Sequence, residues 1–94
     1  GIAPALEAAR LVADAGLGVM VGQMNEGRLA TAAAAHLAMA ARPRYAELYG
    51  ADGLVDDPAE GLAYDGGAVR LAHAPGVGVA LDRARTRILW EGSA

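Results

Sequence analysis

The sequence predicts an α/β fold on three observations. Two stretches have helical composition and spacing, two short apolar runs suit strands buried in a parallel sheet, and the four alternate through the first half of the chain. Parallel neighbours need a crossover between them, and a helix is the usual one. The order helix, strand, helix, strand therefore reads as two units of a parallel sheet.

Each element has its own justification. Ile2 to Ala15 carries Pro4 near its start, where a missing N–H costs nothing, followed by strong helix formers. Leu6, Ala9, Val12 and Ala13 recur at helical spacing, and Gly16 supplies a left-handed stop. Leu17 to Val21 is a short apolar run closed by Gly22, which suits a strand buried on both faces. Asn25 offers a cap for a second helix running through the Ala-rich stretch to Ala41, and Pro43 prevents its continuation. Tyr45 to Tyr49 reads as the second buried strand.

Beyond Gly50 the chemistry changes. Asp52-Gly53 and Asp56-Asp57-Pro58 are turn sequences, and Leu62 to Tyr64, Asp65-Gly66-Gly67 and Ala68 to Leu71 read as a β-hairpin. Pro75-Gly76-Val77-Gly78 is a further turn, and Asp82 can cap a last helix through Trp90. The chain divides into residues 1–50, the helix and strand units, and 51–94, the hairpin and tail. A two-stranded parallel sheet does not stand alone, and residue 1 is Gly rather than Met, so the expectation is a segment of a longer polypeptide.

Composition narrows the function classes. The 94 residues are 54% hydrophobic and 20% charged, which excludes disorder driven by charge. A net charge of −3 offers no basic footprint, so neither nucleic acid nor an anionic membrane is an expected partner. All eight basic residues are Arg, and with no Cys there is no disulfide framework, thiolate metal site or cysteine nucleophile. No signal peptide is visible, and the longest apolar stretch, Leu29 to Ala41, is interrupted by Thr31 and His36 and falls short of the roughly 20 residues a bilayer span needs. The expected location is cytoplasmic.

Four stretches, in this order, resemble the C-terminal end of the barrel in the enolase superfamily, in the muconate-lactonizing branch that includes dipeptide epimerases and N-acylamino acid racemases. Gly1-Ile2 with the helix that follows is similar to the segment after the sixth barrel strand. Gly22-Gln23-Met24-Asn25-Glu26-Gly27 resembles the Gly-x-Met-x-Glu pattern ending the seventh strand, and Ala34-Ala35-His36-Leu37-Ala38 the helix after it. Glu47-Leu48-Tyr49-Gly50 is similar to the acidic-Leu-aromatic-Gly end of the last strand, and Ala74-Pro75-Gly76-Val77-Gly78-Val79 to the family's Gly-Pro-Gly-Leu-Gly-Val.

The resemblance implies the C-terminal part of a modified TIM-type β/α barrel, its last two helix and strand units, with a hairpin and a tail returning to a capping domain. It implies Mg²⁺-dependent removal of the proton next to a substrate carboxylate, as in a cycloisomerase, racemase or epimerase, and a small carboxylate as substrate. The family's bases are lysines on the second and sixth strands and its metal ligands lie on the third to fifth. This chain has no Lys and starts later, so the Mg²⁺ ligands are expected upstream and none is assigned here. What transfers is Glu47 as a catalytic acid facing substrate, with Gln23, Met24 and Glu26 as substrate-binding residues at the barrel mouth. The isolated segment is expected to be inactive, and the full-length protein to be a homo-oligomer. The alternative is a free-standing, non-catalytic α/β interaction module or a decayed gene product.

Plainer readings stand beside these. Glu47 could be a surface or helix-capping carboxylate, Met24 a core residue, and Glu26 an acidic group in the first turn of the helix capped by Asn25, favoured there by the helix dipole. His36 reads as a packed or hydrogen-bonded histidine and His73 as solvated. Asp52, Asp56, Asp57 and Glu60 lack the alternating order of a calcium loop and read as a turn cluster. Arg83, Arg85 and Arg87 read as a solvated face or as partners of acidic neighbours.

Overall fold

A computed structural model describes residues 1–92, in the order α1 (Ile2–Asp14), β1 (Met20–Val21), α2 (Arg28–Ala41), β2 (Tyr45–Ala46), β3 (Ala59–Glu60), β4 (Leu62–Asp65), β5 (Ala68–Leu71) and β6 (Ala80–Leu81), followed by a 3₁₀ turn at Arg83–Arg85. The first half is α/β. β1 and β2 pair in parallel with Met20 opposite Tyr45 and Val21 opposite Ala46. β3 pairs antiparallel with β6, and β4 with β5, as separate two-stranded sheets.

The helix α1 ends as its sequence predicts. The Gly16 N–H donates to Ala13 O (2.9 Å) and the Leu17 N–H to Val12 O (3.1 Å), with Gly16 at φ 73°, so the last carbonyls are satisfied by a left-handed residue. The start of α2 differs from the expectation. Gly27, not Asn25, is the N-cap, and it makes no side-chain bond. The carboxylate of Asp57, 29 residues downstream of Arg28, takes that role: Oδ2 accepts from the Arg28 N–H (2.6 Å) and from the Arg28 guanidinium (3.2 Å), while Oδ1 accepts from the Ala59 N–H (3.1 Å). Its side chain is only 3% exposed. A carboxylate there satisfies an orphan N–H and meets the positive end of the helix dipole.

Packing centres on α2. The buried apolar residues are Val21, Ala32, Ala35, Ala51, Ala59 and Leu62, with Thr31 fully buried beside them. The small side chains of α2 let α1, β1, β3 and β5 approach it. His36 Nε2 lies 3.2 Å from Val77 O and, in the tautomer that donates there, ties the helix to the late turn, so it is a hydrogen-bonded histidine.

The hairpin forms where its turn chemistry predicts it. Four residue pairs, from Leu62 with Leu71 to Asp65 with Ala68, flank Gly66-Gly67, both at positive φ (56° and 80°) as a two-residue turn of this hand requires.

The strands of the first half are shorter and more exposed than expected. β1 covers only Met20–Val21 of the run from Leu17, and β2 only Tyr45–Ala46 of the run to Tyr49. Met20 and both residues of β2 are exposed rather than buried. Neither strand has a second strand neighbour among the described residues, and only the face carrying Val21 packs against α2. The helix expected from Asp82 to Trp90 is replaced by the single turn Arg83–Arg85, with Asp82 Oδ1 accepting from the Ala84 N–H (3.0 Å). Ile88, Leu89 and Trp90 are exposed, and a short helix without a packed face has too little to hold it. Arg85 pairs with Asp56, as its acidic neighbours suggest. The end of the tail, residues 93–94, lies outside the described residues.

Candidate active site

Two parallel strands deliver their C-terminal ends to one edge. The ladder runs one step past the assigned strands, because the Glu47 N–H donates to Val21 O (2.9 Å). The loop Gly22 to Gly27 therefore leaves β1 beside the loop Glu47 to Gly50 that leaves β2. All four sequence-assigned site residues lie in these two loops.

The loops touch at Gly50, which is buried. A Cβ there would collide with the Met24 carbonyl and the Gln23 carboxamide, so the absent side chain allows the approach. From the other side, the Tyr64 hydroxyl donates to Leu48 O (2.7 Å) and accepts from the Ala51 N–H (3.2 Å), pinning the second loop to the hairpin.

Gln23 is half-buried and organises the first loop. Its Nε2 donates to Thr31 Oγ1 (3.0 Å) and to Glu26 Oε2 (3.4 Å), and Thr31 Oγ1 lies 3.5 Å from the Glu26 carbonyl. Gln23 Oε1 is buried and has no hydrogen-bond partner among the described residues. Met24, Glu26 and Glu47 are exposed, Met24 at 77%. The structure thus brings Gln23 and Glu26 into direct contact, joins Met24 to Gly50 through its backbone, and places Glu47 on the neighbouring strand end with its side chain open to solvent.

Three residues of this arrangement carry no role in the sequence analysis: Thr31, Tyr64 and Gly50. Thr31 left one signal, a hydroxyl interrupting an otherwise apolar stretch. Gly50 left one as the glycine closing the Glu47-Leu48-Tyr49-Gly50 pattern, whereas Tyr64 acts through contacts distant in sequence and left none. Among the described residues no three His, Cys, Asp or Glu side chains group to hold a metal ion. No helix among them is long and apolar enough to cross a membrane.

The family model described as enolase C-terminal domain-like matches residues 1–85. The chain belongs to that family. It is an enolase-superfamily C-terminal segment, and the α/β character of its first half agrees with this. It is also 40% identical over 81 residues to the L-Lys-D/L-Arg epimerase of Methylococcus capsulatus, a match covering 84% of this chain and 23% of that protein. The chain therefore spans less than a quarter of that relative's length. No solved structure matches.

Proposed function

We propose that this chain is the C-terminal part of a magnesium-dependent racemase or epimerase that removes the proton α to a carboxylate. In this reading residues 1–50 supply the last two helix and strand units of a modified β/α barrel, and 51–94 supply the hairpin and the tail returning to the capping domain. The edge formed by β1 and β2 becomes one wall of the active site, at the strand ends where barrel enzymes place their chemistry. Mg²⁺ is held by residues outside these 94, and the finished protein is a cytoplasmic homo-oligomer.

The observation that carries the reading is the shared edge: a parallel pair ending in Gln23, Met24 and Glu26 on one strand and Glu47 on the next. Family membership supports the chemistry. The relative's name favours epimerisation over cycloisomerisation and suggests a dipeptide with basic side chains as substrate. Exposed surface supports the missing partner. The chain exposes 7026 Å², against about 5,000 Å² for a compact monomer of its 9.5 kDa mass. That excess is apolar at Met20, Tyr45 and Leu11, where neighbouring barrel units would lie.

In this reading Glu47 is the acidic group of the last strand end that faces the substrate at the reacting edge, where negative charge develops as the α proton leaves. The proton itself is taken by a base outside this chain, which contains no Lys. The test is Glu47→Gln in the full-length protein, read as exchange of the substrate α proton with deuterated water. Turnover should fall by about a hundredfold with Mg²⁺ saturating. Near wild-type exchange sinks the role of Glu47, and absence of exchange in the wild type with dipeptide substrates sinks the reading itself.

A further inference from the structure

The Gln23 carboxamide does not face outward. Both hydrogens of its Nε2 are committed, one to Thr31 Oγ1 at 3.0 Å and one to Glu26 Oε2 at 3.4 Å. Its remaining polar atom, Oε1, is buried. The opposite orientation of the amide would set its oxygen against the Glu26 carboxylate, two acceptors face to face, so the network decides which end points where. The amide lies in the space a Cβ at Gly50 would fill. Thr31, on the first turn of α2, is 0% exposed and spends its hydroxyl on the loop rather than on its own helix.

We propose that Thr31 and Gln23 are positioning residues that hold the Glu26 carboxylate at the strand-end edge, and that Glu26 recognises the cationic side chain of the substrate. The inference rests on the reading of this edge as an active-site wall. The mouth residues then differ in what they do, since Gln23 works inward while Glu26 keeps a carboxylate oxygen for the ligand. A buried hydroxyl at the far end of the chain of contacts sets the geometry, because removing it takes away the acceptor that holds one carboxamide hydrogen. An exposed carboxylate held in this way is better placed for an ammonium or guanidinium than a freely rotating one, since less side-chain entropy is lost on binding.

The experiment compares wild type, Thr31→Val, Thr31→Ser and Glu26→Gln in the full-length protein, with an arginine-containing and an alanine-containing dipeptide as probes. Glu26→Gln should raise KM for the arginine dipeptide about tenfold and leave that for the alanine dipeptide within about twofold. Thr31→Val should raise KM for the arginine dipeptide about threefold to fivefold with kcat changed less than about twofold, and Thr31→Ser should restore it. Equal KM changes for the two dipeptides, or Thr31→Ser behaving like Thr31→Val, overturn the proposal. A second readout needs no substrate. In ¹⁵N-labelled protein the Gln23 carboxamide protons should exchange slowly in the wild type and in Thr31→Ser, and fast in Thr31→Val. Unchanged exchange in Thr31→Val overturns the positioning role even if no dipeptide is turned over, an outcome that by itself would count against the catalytic reading alone.

Discussion

The two halves of the chain solve the same problem, pairing a strand, with different reach. The hairpin β4–β5 holds four residue pairs around a two-residue turn, and every contact that sets its register lies within ten residues. The parallel pair β1–β2 holds two, across a 14-residue helix, with Met20, Tyr45 and Ala46 exposed. A hairpin carries its own register in its turn. A parallel strand depends on neighbours on both edges and on covered faces, so in this chain the part that builds the candidate site is the part that least completes itself. What steadies it comes from the second half: Asp57 at the start of α2, and Tyr64 beneath the loop from Glu47 to Gly50.

The contrast breaks hardest at Gly50. A methyl group there meets the Met24 backbone, which cannot swing aside, and the Gln23 amide, which its bonds to Thr31 and Glu26 hold in place. Gly50→Ala in the full-length protein should lower stability by about 3 kcal/mol in urea denaturation and loosen both strand-end loops, while amide exchange in the hairpin stays slow. Equal loosening of the hairpin would show that the halves are one cooperative unit. Next comes Asp57→Ala, which leaves the Arg28 and Ala59 N–H groups without their acceptor. The expected loss is about 2 kcal/mol, with Asp57→Asn recovering part of it, and a loss near zero would mean that water caps α2 equally well.

What the sequence makes legible follows the same division. The stop of α1 at Gly16, the end of α2 before Pro43 and the Gly66-Gly67 turn are all set by residues within a few positions, and each is where local chemistry puts it. The start of α2 lies at Gly27 rather than Asn25 because its cap arrives from Asp57, which on its own reads as one acid of a turn cluster. The strands fall short of their apolar runs because Leu17 to Val21 and Tyr45 to Tyr49 are composed for burial, and the pairing available within this chain extends only two residues in each. In the candidate site, Gln23 and Glu26 are three residues apart and meet as a loop readily allows. Thr31 reaches the loop from the first turn of α2, while Tyr64 reaches it from the hairpin, a long-range contact that no local pattern encodes. Asp82 shows the limit from the other side: its cap is real, but Ile88, Leu89 and Trp90 find no surface, and the helix stops after one turn.

Smaller substitutions separate anchoring from pairing. Tyr64→Phe removes the hydroxyl that bridges Leu48 O and the Ala51 N–H and leaves the ring in place. It should cost about 1 kcal/mol and raise amide exchange at Ala51 without changing the β4–β5 register. The smallest effect belongs to the pair that looks most like a clasp. Arg70 and Asp65 form an ion pair across the hairpin at 2.9 Å, but both side chains are about two-thirds exposed (67% and 66%). Water and salt screen such a pair, and ordering two long side chains offsets much of the gain, so Arg70→Ala should change stability by less than about 0.5 kcal/mol. If it instead unpaired β4 from β5, the hairpin would owe its register to that ion pair rather than to its turn, and the self-sufficiency that distinguishes it from β1–β2 would be lost.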